Sequence, residues 1–117
     1  MIVRSIIFYS SDVCKNIAIN IAKGLKGYVD VESYSINNPH IEMDQFHNVI
    51  FVVENQNEDL LNCLKKYAIY LPFKSIYFVL FSDKNIKFSY EDYKLIKSDN
   101  IKELVVNSIE QINSNKF

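Results

Sequence analysis

Three short runs of apolar residues, rich in β-branched and aromatic side chains, constrain the fold of this chain more than any other feature. They are SIIFY at 5–9, NVIFVV at 48–53 and SIYFVLF at 75–81. Runs of this length without alternating polar residues are typical of strands buried on both faces of a parallel sheet. A fourth segment, YVDVESYSI at 28–36, alternates apolar and polar residues and predicts a strand nearer the sheet edge.

Apolar residues at helical spacing follow two of these strands. The first such segment predicts a helix over about 13–25, with Ser11 or Asp12 as its N-cap. The second predicts a helix that begins after the capping residue Asn57 and runs as far as Pro72, which ends it. Its apolar stripe comprises Leu60, Leu61, Leu64, Tyr67, Ala68 and Leu71. Each helix is amphipathic, so each must cover one face of the sheet.

The remaining connections are less regular. The sequence Asn100-x-x-Glu103 is typical of a capping box and predicts a third, C-terminal amphipathic helix. Its apolar stripe comprises Ile101, Leu104, Val105, Ser108, Ile109 and Ile112. The segment at 41–47 is too short for a full crossover helix, and 82–89 is polar without an apolar stripe. A fifth strand, at the sheet edge, is predicted over 90–97.

The order β-α-β-β-α-β-β-α predicts an α/β fold, a three-layer sandwich around a five-stranded, mainly parallel sheet. The simplest strand order is 2-1-3-4-5, with the helices after strands 2 and 4 short or absent. We expect residues 1–117 to form a single domain. We also expect the sheet face left uncovered to be apolar and to favour a dimer.

Composition argues against several classes of function. The net charge is −1, without the basic excess expected of a nucleic-acid-binding domain. Two cysteines are too few for a disulfide framework, and no apolar segment is long and uninterrupted enough to span a bilayer or to act as a secretory signal. We therefore expect a cytoplasmic protein whose partner is another protein, a second copy of itself or a small phosphate-bearing ligand.

Several segments resemble the flavodoxins. IIFYSS at 6–11, followed by IAINIAKGL at 17–25, resembles their first strand, phosphate loop and first helix. FHNVIFVV at 46–53 resembles their third strand, 59–71 the helix behind it, and 75–81 their fourth strand. The resemblance covers most of the chain. It implies a flavodoxin-like fold, flavin mononucleotide (FMN) as cofactor and a role in electron transfer.

The resemblance also implies where FMN would bind. Flavodoxins hold the phosphate in the loop after the first strand, where backbone N–H groups and hydroxyls meet it at a helix N-terminus. The candidate cofactor-binding residues lie in the loops after strands 1, 3 and 4: Ser10, Ser11, Lys15, Asn16, Asn55 and Asp83.

The chain departs from the flavodoxin pattern at the positions that carry flavin chemistry. Its first loop lacks the usual glycine, and Asp12 brings a carboxylate close to the phosphate position. The loop at 54–57 has no aromatic residue to stack on the flavin ring, and 82–90 offers only Phe88 and Tyr90. Two hypotheses therefore remain open. We favour a non-catalytic, self-associating interaction module with a degenerate flavin site, and the alternative is an FMN-binding electron carrier.

Neither the cysteines nor the histidines yield a catalytic or metal site. The position of Cys14, after a strand and at the start of a helix, resembles that of the nucleophile in low-molecular-weight tyrosine phosphatases and in phosphotransfer subunits of sugar transporters. The phosphatases, however, need an Arg where this chain has Asn20, and the transporter subunits place their Cys directly at the strand end. We interpret Cys14 as a small core residue, and His40 and His47 as solvated loop residues.

Overall fold

A parallel sheet flanked by helices forms the body of the computed structural model, which describes residues 3–25, 29–38, 41–55, 57–82 and 94–114. The strands are β1 (Val3–Tyr9), β2 (Val29–Ser35), β3 (Asn48–Val53), β4 (Ser75–Phe81) and β5 (Lys94–Ser98). The α-helices are α1 (Asp12–Gly24), α2 (Glu58–Lys66) and α3 (Ile101–Ser114). Two 3₁₀ turns, Met43–Gln45 and Leu71–Phe73, precede β3 and β4.

All five strands are parallel, in the order β2-β1-β3-β4-β5. In the centre of the sheet, Ile7 of β1 pairs with Ser33 of β2 and with Ile50 of β3. The predicted α/β class and strand order are confirmed. The bounds of β3 and β4 agree with the sequence prediction because each apolar run is flanked by polar residues.

One face of the sheet is an aromatic layer covered by α2. Phe8, Phe51 and Phe78 stand side by side on β1, β3 and β4, with ring centroids 5.6 and 5.3 Å apart. Tyr67, just after α2, stacks on Phe8 at 5.8 Å, and its hydroxyl accepts a hydrogen bond from the N–H of Ile41. The tyrosine thus buries its ring and still satisfies its polar end.

The other face is aliphatic and is covered by α1 and α3. Ile17 and Ile21 of α1 and Leu104 of α3 are fully buried in this layer, against the side chains of Ile7 and Ile50. The two helices come close at Gly24, where an added Cβ would overlap Cδ1 of Ile109 and lie 2.8 Å from its Cγ1. Gly24 therefore sets how closely α1 and α3 pack.

Helix α2 is shorter than its sequence predicts. It ends at Lys66, and the chain then passes through a turn and a 3₁₀ segment before β4. Cys63 is buried in its core-facing stripe, whereas Ala68, which the helical spacing assigned to that stripe, is exposed. Tyr67 and Leu71 are buried as expected, but they reach the core from the turn.

The sheet face beside β2 is charged, and not apolar as we expected. Between β2 and β3 the described residues hold only the 3₁₀ turn Met43–Gln45, and no α-helix covers this corner. Instead, the Arg4 guanidinium donates to Asp30 at 3.1 Å and to Glu32 at 2.9 Å, and it also bonds Gln45. The connection after β4 and the first part of the predicted fifth strand lie outside the described residues.

Candidate functional site

The carboxyl ends of β1 and β3 lie side by side, and the candidate loop residues meet there. The N–H of Ser10 donates to the carbonyl of Val52 at 3.2 Å, which extends the pairing of the two strands by one residue. The chain then turns into α1 at Ser11, opposite Glu54 on the loop after β3. In parallel α/β sheets this edge is where ligands bind.

Ser11 joins the two loops. Its backbone is extended and its Oγ accepts the N–H of Cys14 at 3.2 Å, so it is the N-cap of α1, as the sequence predicted. The same hydroxyl donates to Oε1 of Glu54 at 3.4 Å. The Ser11 hydroxyl therefore forms both of these hydrogen bonds within the protein, and it holds a carboxylate beside the N-terminus of α1.

The other candidate residues are exposed or lie outside the described residues. Lys15 and Asn16 are exposed in the first turns of α1, and the Asn16 carbonyl accepts a hydrogen bond from Asn20 Nδ2 at 2.9 Å. Asn55 is exposed on the loop after β3. Asp83 lies outside the described residues. Of the candidate residues that the structure describes, Ser10 and Ser11 stand at the meeting point of the two strands.

These residues do not fit the phosphate of FMN. The free N–H groups and the dipole at the N-terminus of α1 would favour an anion. Glu54, hydrogen-bonded to the capping serine, and Asp12, exposed in the first turn, put two carboxylates there instead. A bound dianion would be repelled by these carboxylates. Glu54 was not among the predicted site residues, since its contact with Ser11 depends on the side-chain geometry of two loops distant in sequence.

Cys14 is a core residue. Its side chain is fully buried in the aliphatic layer, and the hydroxyl of Ser10 donates to its sulfur at 3.7 Å. A thiol in this position is closed off from any substrate at the strand ends. The position is compatible with our interpretation of Cys14 as a small packing residue.

A shallow cavity of about 180 Å³ lies near the end of β2, between the loop after that strand and α2. Cys63 forms part of its wall, and Asp59 and Lys66 stand at its rim. Burial raises the pKa of the Cys63 thiol to about 11, only partly opposed by the charge of Lys66. The thiol is therefore protonated at neutral pH, and the cavity offers no nucleophile.

Sequence reasoning missed the role of His47, which is exposed but not merely solvated. Its Nδ1 accepts the N–H of Arg4 at 3.1 Å, and its own N–H donates to the Arg4 carbonyl at 2.8 Å. Among the described residues no three His, Cys, Asp or Glu side chains are grouped so as to hold a metal ion. Within the same residues no helix is long and apolar enough to cross a membrane.

A larger groove, of about 460 Å³, runs along the outer surface between α1 and α3. It is lined by Asn20 of α1 and by four residues of α3: Ile101, Lys102, Val105 and Val106. The sequence assigned Ile101 to the buried stripe of the last helix, but 42% of its surface is exposed, and Val106 is 46% exposed.

No protein-family model and no curated protein sequence matches this chain. Two solved structures are similar to it in fold. The first is the lactose-specific IIB component domain of the phosphoenolpyruvate:carbohydrate phosphotransferase system of Streptococcus pneumoniae, with a TM-score of 0.58 and 10% identity over all of both chains. The second is oxidised Flavodoxin 1 from Bacillus cereus, with a TM-score of 0.62 and 11% identity over 94% of this chain and 97% of that one.

At such identities a structural likeness extends to the fold alone, because one fold serves many activities. It agrees with the strand order, the two helical layers and the direction of the strands described above. This chain has a flavodoxin-like α/β fold.

Proposed function

We propose that this chain is a non-catalytic protein-interaction module that associates with itself and whose flavin site has degenerated. The observation that carries the proposal is the hydrogen bond from Ser11 to Glu54 at the N-terminus of α1. It holds a carboxylate beside the loop that, by its resemblance to the flavodoxin phosphate loop, would receive the phosphate.

The electrostatic cost of that carboxylate is considerable. Two like unit charges about 4 Å apart repel by about 1 kcal/mol in water and by about 4 kcal/mol near a protein surface. A phosphate dianion would also compete with Glu54 for the hydroxyl of Ser11, which already caps α1. One of the N–H groups at the N-terminus of α1, that of Cys14, is thus capped from within the protein.

The fold itself is compatible with such a role. One of its structural neighbours is named as a component of a phosphotransferase system, so the fold serves members of multi-component systems as well as flavodoxins. The two cysteines are free and buried, which fits a protein of the reducing cytoplasm. We propose that residues 1–117 work there as one domain.

Titration with FMN tests the loss of the cofactor. We expect the purified protein to lack a flavin absorption band and to cause no saturable quenching of flavin fluorescence up to about 100 μM protein, a limit that corresponds to binding weaker than about 5.5 kcal/mol. The matched variant is Glu54→Gln, which keeps the size of the side chain and removes its charge. If FMN binding appears in Glu54→Gln alone, the carboxylate is the obstacle that we describe.

Two results of this titration would contradict the proposal. A flavin band in the protein as purified would establish the electron-carrier alternative, and so would saturable quenching by the unaltered protein at micromolar concentration. A displacement of bound FMN by inorganic phosphate would then assign the phosphate position to the loop that contains Ser11.

Sedimentation velocity tests self-association directly. We expect the average mass to rise with protein concentration between about 1 and about 200 μM, the range in which small interfaces associate. A mass that stays at 13.7 kDa throughout this range would remove self-association from the proposed function.

A further inference from the structure

We propose that the outer face of α3 is the surface through which two copies associate, with their α3 helices antiparallel and related by a two-fold axis at Val106. This inference rests on the proposed function, because it names the partner and the surface of that self-association. The partner is a second copy of this chain.

The first observation is the apolar surface at the start of α3. Val106 and Ile101 expose nearly half of their surfaces, and Val105 forms the wall of the groove between them and α1. The groove of about 460 Å³ is open beside Val106, so it can receive an aliphatic side chain from a facing helix. In a pair related by a two-fold axis at Val106, the two Val106 side chains face each other beside the two grooves.

The second observation is the charge pattern around Val106, which specifies the partner. Lys102 lies four residues before Val106 and Glu110 four residues after it, and both are exposed. Residues four apart lie on one face of a helix, so the three side chains form a single stripe. Lys102 and Glu110 have opposite charge at equal distances from the centre, and the exposed Glu103 lies beside Lys102, three residues before Val106.

Such a stripe is complementary to itself in one orientation only. In an antiparallel pair centred on Val106, Lys102 of each copy faces Glu110 of the other, which gives two ion pairs. A parallel pair would set Lys102 against Lys102 and Glu110 against Glu110, and like charges in contact are rejected. The stripe therefore favours an antiparallel dimer and disfavours the parallel one.

Lys102 and Glu110 have no ion-pair partner among the residues that the structure describes. Lys102 also lies in the first turn of α3, where the helix dipole favours acidic side chains over basic ones. An acidic group on a second copy would offset that unfavourable position.

The size of the surface indicates a weak dimer. The 14 residues of α3 extend over about 21 Å, so a single helix pair buries less than the roughly 800 Å² per partner of a standard interface. We expect dissociation constants in the micromolar range, with the ion pairs deciding the orientation more than the affinity.

Charge reversal on α3 tests the surface. The variants are K102E, E110K and the double variant K102E/E110K, followed by sedimentation velocity, with circular dichroism to confirm that each is folded. In the homodimer of either single variant, side chains of like charge face each other. We therefore expect the dissociation constant of that homodimer to rise at least about tenfold. The double variant restores both pairs in reversed order, and its dimer should be close to that of the unaltered chain.

Mixing the two single variants gives the sharpest result. In a heterodimer of one K102E chain and one E110K chain, the α3 helix of the first carries two acidic groups at these positions. The α3 helix of the second carries two basic groups, so both pairs are attractive. We expect the equimolar mixture to dimerise at concentrations where each variant alone is monomeric. A structural defect caused by either substitution would not be rescued by mixing.

The outcomes separate this inference from the proposed function. If the unaltered chain dimerises and the single variants dimerise equally well, another surface is used, so the α3 interface is wrong while self-association stands. If the unaltered chain remains monomeric at every concentration, the α3 interface and self-association both fail. A heterodimer that forms no better than the single-variant homodimers would also overturn the antiparallel arrangement.

Discussion

The imidazole of His47 takes the place of a backbone carbonyl at the edge of the β1–β3 pairing. It accepts the N–H of Arg4, while the backbone N–H of His47 donates to the carbonyl of the same arginine. Strand β3 begins at Asn48, so these two bonds continue the sheet by one residue before the strand. Only the nitrogen of a neutral imidazole that carries no proton can accept in this way.

Replacing His47 tests the contribution of this bond. His47→Leu leaves the Arg4 N–H without its acceptor, and we expect the free energy of unfolding to fall by about 0.5–1.5 kcal/mol. His47→Asn is the matched control, because Oδ1 of Asn lies at the position of Nδ1 and keeps the bond. Urea denaturation measures the free energy of unfolding of both variants. An equal decrease in the two would mean that the hydrogen-bond acceptor at position 47 does not stabilise the protein.

At the scale of residues, contacts between distant side chains are what the sequence does not predict. The caps Ser11, Asn57 and Asn100 were predicted, since each depends on residues within one turn of its helix. The bond of Ser11 to Glu54 and that of Arg4 to His47 each join residues 43 apart. They depend on strand register and on the course of the loops, which no local pattern encodes.

At the scale of elements, buried strands are easier to predict than helix ends. Strands β3 and β4 end where their apolar runs meet polar residues, because a strand buried on both faces admits few polar side chains. The predicted end of α2 was wrong because Tyr67 and Leu71 are buried at helical spacing although the helix ends at Lys66. Apolar residues are spaced so that they reach the core, and residues in a turn can reach the core at the same spacing as residues in a helix.

The close approach of α1 and α3 at Gly24 leads to a test of element packing. Gly24→Ala adds a methyl group against Ile109, and we expect it to destabilise the protein by about 1–3 kcal/mol. In the background Ile109→Ala the space is open, and the same substitution should stabilise by up to about 1 kcal/mol through helix propensity. Thermal unfolding of the unaltered protein, the two single variants and the double variant gives the coupling free energy between positions 24 and 109. Equal effects of Gly24→Ala in both backgrounds would show that the two helices do not meet there.

At the scale of the whole molecule, the proposed dimer should respond to salt. Its two ion pairs are exposed, and the screening length falls from about 10 Å at 0.1 M ionic strength to about 3 Å at 1 M. We expect the dissociation constant to rise about three- to tenfold between these ionic strengths, measured by sedimentation equilibrium. The variant K102Q/E110Q, which lacks both charges, should show little dependence on salt. A dimer that tightens with salt in both proteins would be held by apolar contacts.

The charged corner of the sheet at Arg4 has a consequence for the behaviour of the protein in concentrated solution. Strand β2 is an edge strand, and edges with unpaired backbone groups tend to recruit strands from other molecules and to aggregate. Asp30 and Glu32 put carboxylates along this edge, and Arg4 holds them in place from the neighbouring strand. A second β2 approaching edge to edge would bring its own carboxylates against them. We therefore expect the ionic cluster to disfavour aggregation through edge-to-edge pairing of β2.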